Sequence, residues 1–205
     1  EEGTPLEKVV RLGEVKEPDP DLAADMYLLA KEVLEKAGYR HYEISNWAVP
    51  GRECRHNLTY WKNLHYLGFG AGAHSCLGSH RFWNLRRPGE YISRTRELKK
   101  RKGPAISNGF SLETLRHIGP VEDVEYIDEQ LQMGEAMMLG LRLEEGIEYG
   151  GFARRFGREM RSIYDPQIEE LMGLGLLTEV DGSLRLTGRG RLLGNEVFLR
   201  FLPTN

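Results

Sequence analysis

The sequence predicts an α+β chain, and three observations carry that prediction. Residues 20–37 place apolar side chains at helical spacing between a capping residue and a glycine stop. Tyr39 to Ser45 follows at once as an aromatic and β-branched run, so a helix feeds a strand, which is half of a βαβ unit. Residues 149–205 read helix, helix, hairpin, helix, the order of a winged-helix-like module.

Each element has a local reason. Asp19 suits the N-cap of the first long helix, Pro20 its first turn, and Gly38 its end. Leu22, Met26, Leu29, Val33 and Ala37 fall at steps of four and three and predict one buried stripe. Strand 39–45 alternates, which sets His41, Glu43 and Ser45 on one face. Pro50 and Gly51 make 46–57 a loop, and a short helical turn is expected over 58–63. Tyr66 to Gly70 reads as a short apolar strand running into the small residues that follow, and 80–85 as another strand. Arg87-Pro88-Gly89 breaks the chain before helix 89–102, where Lys99, Lys100, Arg101 and Lys102 suit the negative end of the helix dipole. Segment 103–120 reads as loop with a short strand.

Val121 to Leu141 then shows Ile127, Leu131, Gly134, Met138 and Leu141 at helical spacing, and Gly134 within that stripe predicts the close approach of another backbone. Met137 and Met138 read as core filler. Helices 149–157 and 161–174 lead to a hairpin, 176–180 and 184–186, around Asp181-Gly182. Thr187 caps a last helix ending near Leu202.

Composition narrows the function. The 205 residues carry 28 Lys+Arg against 31 Asp+Glu, so net charge draws in neither nucleic acid nor anionic lipid. In 149–205 eight Arg stand against seven Asp+Glu, short of the basic stripe of a DNA reader, so nucleic acid is an unfavoured partner. Apolar runs such as Ala136 to Leu139 fall far below the roughly 20 residues needed to span a bilayer. With no basic-then-apolar leader and two cysteines, a cytoplasmic setting is expected. The opening Glu1-Glu2-Gly3-Thr4-Pro5 reads as the middle of a longer chain.

Chemistry concentrates in Tyr42 to Ser75. Cys54 and Cys76 belong to no CxxC or CxxxCxxC group, so cysteines here cannot assemble an iron–sulfur cluster. A mixed Cys54/His56/His74/Cys76 zinc site is strained by its spacing. In His56-Asn57-Leu58-Thr59-Tyr60-Trp61, Asn57 reads as a cap, with Tyr60 and Trp61 about one turn after His56. An imidazole beside two flat rings can ligate haem iron and stack on a porphyrin, although a loop hydrogen bond with core aromatics explains the same residues. Gly68 to Ser75 carries small residues that admit a ligand to the backbone, or equally the close packing of two strands. It lacks both GxGxxG and GKS/T.

The runs YEISNWAVPG, ECRHNLTYW and YLGFGAGAHS, with the opening EEGTPL and the ending LTGRGRLLGNEVF, resemble the oxygen-independent coproporphyrinogen III oxidase-like branch of the radical SAM enzymes. Within that branch the resemblance is to the HemW-type haem chaperones, and HNxxYW, here His56 to Trp61, is its specific part. The resemblance implies the last strands and helix of a radical SAM partial (β/α) barrel over 1–86, a helical linker region over 87–148, and a winged-helix-like HemN C-terminal domain over 149–205. It implies haem at His56, Asn57, Tyr60 and Trp61, with His56 on the iron, and S-adenosylmethionine on the side of Gly70, Gly72, Ala73 and His74. The [4Fe-4S] cluster and most S-adenosylmethionine contacts belong, by the same resemblance, to an upstream half of the whole protein. No catalytic residue is expected here and no radical catalysis by this chain alone, and the haem acceptor is not written in the residues. Other readings are an oxidase fragment acting on a porphyrinogen, and a docking module without catalysis.

Overall fold

The computed structural model describes residues 3–16, 19–100, 116–117 and 119–203. It forms two compact units, Glu1–Glu53 and Cys54–Asn205.

In the first unit, helix α1 (Pro5–Arg11) starts at Thr4, whose hydroxyl accepts from the Glu7 amide. Helix α2 (Pro20–Lys36) starts as expected: the Asp19 carboxylate accepts from the Asp21 and Leu22 amides, and Gly38 at φ 86° ends the run. Its apolar stripe departs from expectation. Leu22, Met26, Leu29 and Val33 stay 56–63% exposed and no residue of α2 is buried. Helical spacing shows that a face is apolar, but burial needs a surface to cover it.

Strand β1 (Arg40–Glu43) turns through Ile44 and Ser45 into β2 (Asn46–Ala48), an antiparallel pair with His41 opposite Trp47. Strand 39–45 is therefore shorter than expected, and segment 46–57 opens with a strand rather than a loop. His41 and Glu43 share the buried face, whereas Ser45 sits exposed in the turn.

The second unit begins with α3 (Arg55–Trp61), which starts three residues before the predicted turn. Strands β3 (His74–Leu77), β4 (His80–Asn84) and β5 (Val121–Tyr126) form an antiparallel sheet in the order β3-β4-β5, with α4 (Pro88–Lys100) between the last two in sequence. Two expectations change here. Of the strand expected over 66–70 only Tyr66 pairs, in an isolated bridge to Cys76, and the strand proper is β3. The helix expected over 121–141 is β5 followed by α5 (Glu129–Gly140). Val121 and Val124 pair with Asn84 and Phe82 of β4, and the Asp128 carboxylate caps α5 at the Leu131 amide, 2.8 Å. Helix 89–102 is borne out to Lys100, while Arg101, Lys102 and 103–115 lie outside the described residues.

Helix α5 packs as its glycine foretold: a Cβ on Gly134 would sit 2.7 Å from the Phe201 carbonyl oxygen. Its deepest side chain is Met137, fully buried, with Met138 only partly covered.

Strand β6 (Ile147–Glu148), helices α6 (Tyr149–Phe156) and α7 (Arg161–Gly173), strands β7 (Leu177–Val180) and β8 (Ser183–Leu186), and helices α8 (Gly188–Leu192) and α9 (Gly194–Leu199) complete the chain. The second sheet runs β6-β8-β7. Asp181 and Gly182 both take positive φ, 50° and 74°, as a two-residue hairpin turn requires. Thr187 caps α8 at the Gly190 amide, as expected. The single last helix expected is two, divided where Leu193 leaves helical geometry at φ −111°, ψ 28°. The core is here: Met137, Leu141, Met160, Ile168, Leu184 and Val197 are wholly buried. Pairing crosses both borders drawn from the sequence, β4 with β5 across 86 and β6 with β8 across 148.

Candidate functional site

Helix α3 carries the HNLTYW run. Its N-cap is Cys54, which makes no side-chain cap bond, so Asn57 is not the cap but the third helical residue. His56 is exposed and meets Tyr60 one turn on, ring centroids 4.9 Å apart and nearly perpendicular. Tyr60 in turn meets Tyr66 edge-on at 4.6 Å. At about 100° per residue, Trp61 points roughly 140° around the helix from His56. Its ring lies instead beneath the Arg142 guanidinium, 4.6 Å from the centroid, and Arg142 also covers Phe198 at 5.3 Å. The structure thus pairs His56 with Tyr60 and turns Trp61 toward the C-terminal elements.

A cleft of ≈ 650 Å³ opens beside Trp61, walled by Leu143, Ile147, Phe152, Arg155 and Arg185 among others. A smaller cavity of ≈ 400 Å³ lies between Tyr60, Trp61, Tyr66, Cys76, Arg81 and Glu135. His56 lines neither. In the smaller cavity Arg81 grips the mostly buried Glu135 through both carboxylate oxygens, 2.7 and 2.8 Å, and reaches Glu125 at 3.3 Å. Burial pulls the Arg81 pKa down, but the bond to Glu135 and the charges of Glu135 and Glu125 outweigh it and leave the guanidinium above its ordinary value. Burial pushes the Cys76 thiol up, with Arg81 opposing and Glu135 adding, and burial likewise raises the Tyr66 phenol. Sequence reasoning missed this pair. Arg81 and Glu135 stand far apart in sequence on a strand and a helix, and no local pattern links them.

The glycine-rich loop enters β3 rather than leaving a strand, so it is a strand beginning. A Cβ on Gly68 would strike the His74 carbonyl oxygen at 2.2 Å, and the Gly68 amide donates to Ser75 Oγ at 3.0 Å. Asn84, buried on β4, donates its side-chain amide to the Gly68 and Gly70 carbonyls at 3.2 and 2.9 Å. The Gly70 amide donates to the Tyr91 hydroxyl and the Gly72 amide to the Leu85 carbonyl, 3.1 and 3.0 Å. Close packing therefore explains Gly68. Gly70 and Gly72 take φ 109° and 70°, and a Cβ on Gly70 would meet nothing within 4 Å. A Cβ on Gly72 would stand 4.0 Å from the Arg86 Cα, and the amides of both glycines are already committed. His74 is exposed and stacks on Trp83 at 5.7 Å, and Ala73 pairs its carbonyl with the Asn84 amide.

Within the hairpin, His41 Nε2 bonds the Ile44 carbonyl at 3.0 Å and the Tyr27 hydroxyl at 3.3 Å, and its ring stacks on Trp47 at 4.5 Å. Glu43 is wholly buried and accepts from the Asn46 side-chain amide. Cys54 is exposed and Cys76 buried, and among the described residues no three His, Cys, Asp or Glu are grouped to hold a metal ion. The donors here do not fit an iron–sulfur cluster. Among the described residues no helix is long and apolar enough to cross a membrane.

Residues 127–193 match the family model described as HemN C-terminal domain. The chain is 34% identical over 194 residues to Heme chaperone HemW of Bacillus subtilis (strain 168), covering 95% of this chain and 46% of that protein. It is 33% identical over 185 residues to Heme chaperone HemW of Escherichia coli (strain K12), covering 90% and 44%. It is 31% identical to the mouse mitochondrial radical S-adenosyl methionine domain-containing protein 1, covering 99% and 44%. The chain thus spans somewhat under half the length of the curated relatives it matches. In fold it is similar to coproporphyrinogen III oxidase (HemN) from Escherichia coli, a radical SAM enzyme, with a TM-score of 0.61 at 15% identity over 90% of this chain and 42% of that one. An α+β chain with this hairpin, this HNLTYW helix and a HemN C-terminal domain belongs to the HemW and HemN-like family and corresponds to the C-terminal region of its fold.

Proposed function

We propose that this chain is the haem-binding C-terminal part of a radical SAM-related haem chaperone, with His56 as the iron ligand and Tyr60 beside the macrocycle. The observation that carries the reading is the exposed imidazole of His56 set edge-on to Tyr60 on α3. A neutral imidazole is a strong ligand for haem iron, and an adjacent flat ring gives the porphyrin a face to pack on. Asn57 follows His56 in the first turn of α3, and Trp61 anchors the helix from its other side. Haem is here the cargo, received on this helix and passed to an acceptor. The named function of the bacterial relatives, haem chaperone, supports the reading.

In the whole protein, S-adenosylmethionine is proposed to face the loop of Gly70, Gly72, Ala73 and His74, which offers close approach rather than free amides at Gly70 and Gly72. When bound there it would supply the radical precursor of this enzyme class; the cluster would be held outside these residues. The proposed compartment is the cytoplasm.

Titration of ferric haem into the purified chain tests the reading. The wild type should give a Soret band of histidine-ligated haem, and His56→Ala should lose that band and weaken binding by about tenfold or more, the loss of roughly 1.4 kcal/mol or more. The same band and affinity in His56→Ala would contradict the proposal.

A further inference from the structure

We infer that Arg155 and Arg142 are positioning residues for α3, fixing the pose of the HNLTYW helix from the C-terminal elements; the inference rests on the haem reading above. Helix α3 cannot hold itself. It has seven residues, a cap without a side-chain bond and no buried residue, whereas an isolated helix persists in water only beyond about 12–15 residues. Its pose must come from tertiary contacts, and two arginines supply them at one end.

The last carbonyls of any helix lack partners within it. Here the chain leaves α3 through Lys62 and Asn63, with Asn63 at φ 49°, and both carbonyls face the Arg155 guanidinium of α6. The bonds are 3.0 Å to the Asn63 oxygen and a longer 3.5 Å to the Lys62 oxygen. A cation there also meets the negative end of the helix dipole. Arg142, just beyond α5, lies over Trp61 of α3 and Phe198 of α9, so one guanidinium joins the motif to the final helix. The flat guanidinium lies close to both rings, a cation–π contact on each. The exposed pair of Lys62 and Glu145, 3.0 Å apart, adds little by comparison.

Both arginines act at the Trp61 end, about 8 Å along the axis from His56 at 1.5 Å per residue. They act on a ligand at His56 only through the helix. Motif residues therefore divide by role: His56 and Tyr60 face the ligand, and Trp61 is the handle by which the C-terminal elements hold them.

Ferric haem titration of the 205-residue chain, paired with hydrogen exchange of the α3 amides in the absence of haem, tests this. Arg155→Ala and Arg142→Ala should each weaken haem binding about tenfold while the histidine-ligated Soret band persists, and should speed α3 exchange by a similar factor. Arg155→Lys should recover most of the affinity, because a point charge still serves two carbonyls, whereas Arg142→Lys should not, because an ammonium cannot stack as a plane. Arg189→Ala is the control: it removes a similar bond, to the Leu174 carbonyl at 3.3 Å, away from α3. Unchanged affinity in both alanine variants, or an equal loss in Arg189→Ala, overturns the inference. So does faster α3 exchange without weaker haem binding. If the arginine variants match the wild type while His56→Ala loses haem, the inference alone fails. If His56→Ala binds as the wild type does, the haem reading fails and the positioning role falls with it. Should either alanine variant not fold, Arg155→Gln and Arg142→Gln provide the same comparison.

Discussion

His41 and His56 stand close together in sequence, and the structure gives them opposite surroundings. His41 is 7% exposed, stacked on Trp47 and bonded to Ile44 and Tyr27, in a unit with few other buried side chains. His56 lies exposed on a marginal helix, in a unit whose core is filled by Met137, Leu141, Ile168 and Leu184. The imidazole in the sparse unit is spent on structure, and the one in the well-packed unit is offered to solvent. A rigid scaffold permits an exposed group that stabilises nothing, and that is where binding chemistry is best placed.

The sharpest way to break this contrast is at the cores. Leu184→Ala, at a wholly buried site, should cost the second unit about 2–5 kcal/mol in a urea titration, whereas Leu29→Ala on the exposed stripe of α2 should stay within about 0.5 kcal/mol. Similar losses would show that the α2 stripe is covered after all. His41→Ala should cost the first unit about 1–3 kcal/mol by removing the ring's bonds to the Ile44 carbonyl and the Tyr27 hydroxyl and its stack on Trp47, read from hydrogen exchange of the hairpin amides.

A smaller effect belongs to Tyr149, whose phenol is pushed up to about 12, first by burial and then by its bond to Glu179. A raised folded-state value means that the neutral form is favoured by folding. This contribution is full below about pH 10 and is lost as pH rises through about 12. The melting temperature should therefore fall between about pH 10 and about pH 12, and fall less in Tyr149→Phe; parallel losses would show that Tyr149 contributes nothing to the pH dependence.

Local signals were legible wherever the chain carried its own punctuation. Asp19, Pro20 and Gly38 bounded α2, Asp181-Gly182 marked the last hairpin, Thr187 capped α8, and Gly134 announced the contact with Phe201. Elements set by partners were not. Val121 and Val124 sit three apart, as on a helix, and only pairing with β4 makes them strand. Ser75 and Cys76 carry weak strand preference, so β3 was hidden until β4 was seen beside it. The family and the HNLTYW run could be read directly, whereas the separation of Trp61 from His56 around α3 and the grip of Arg142 and Arg155 depend on contacts distant in sequence.

The claim that ties these observations together is that His56, rather than His41, meets haem iron. Ferric haem titrated in parallel into His41→Ala and His56→Ala, followed at the Soret band, measures it most directly. The account predicts that His41→Ala keeps the histidine-ligated band at near wild-type affinity and that His56→Ala loses it. A band retained in His56→Ala, or lost only in His41→Ala, would contradict the account.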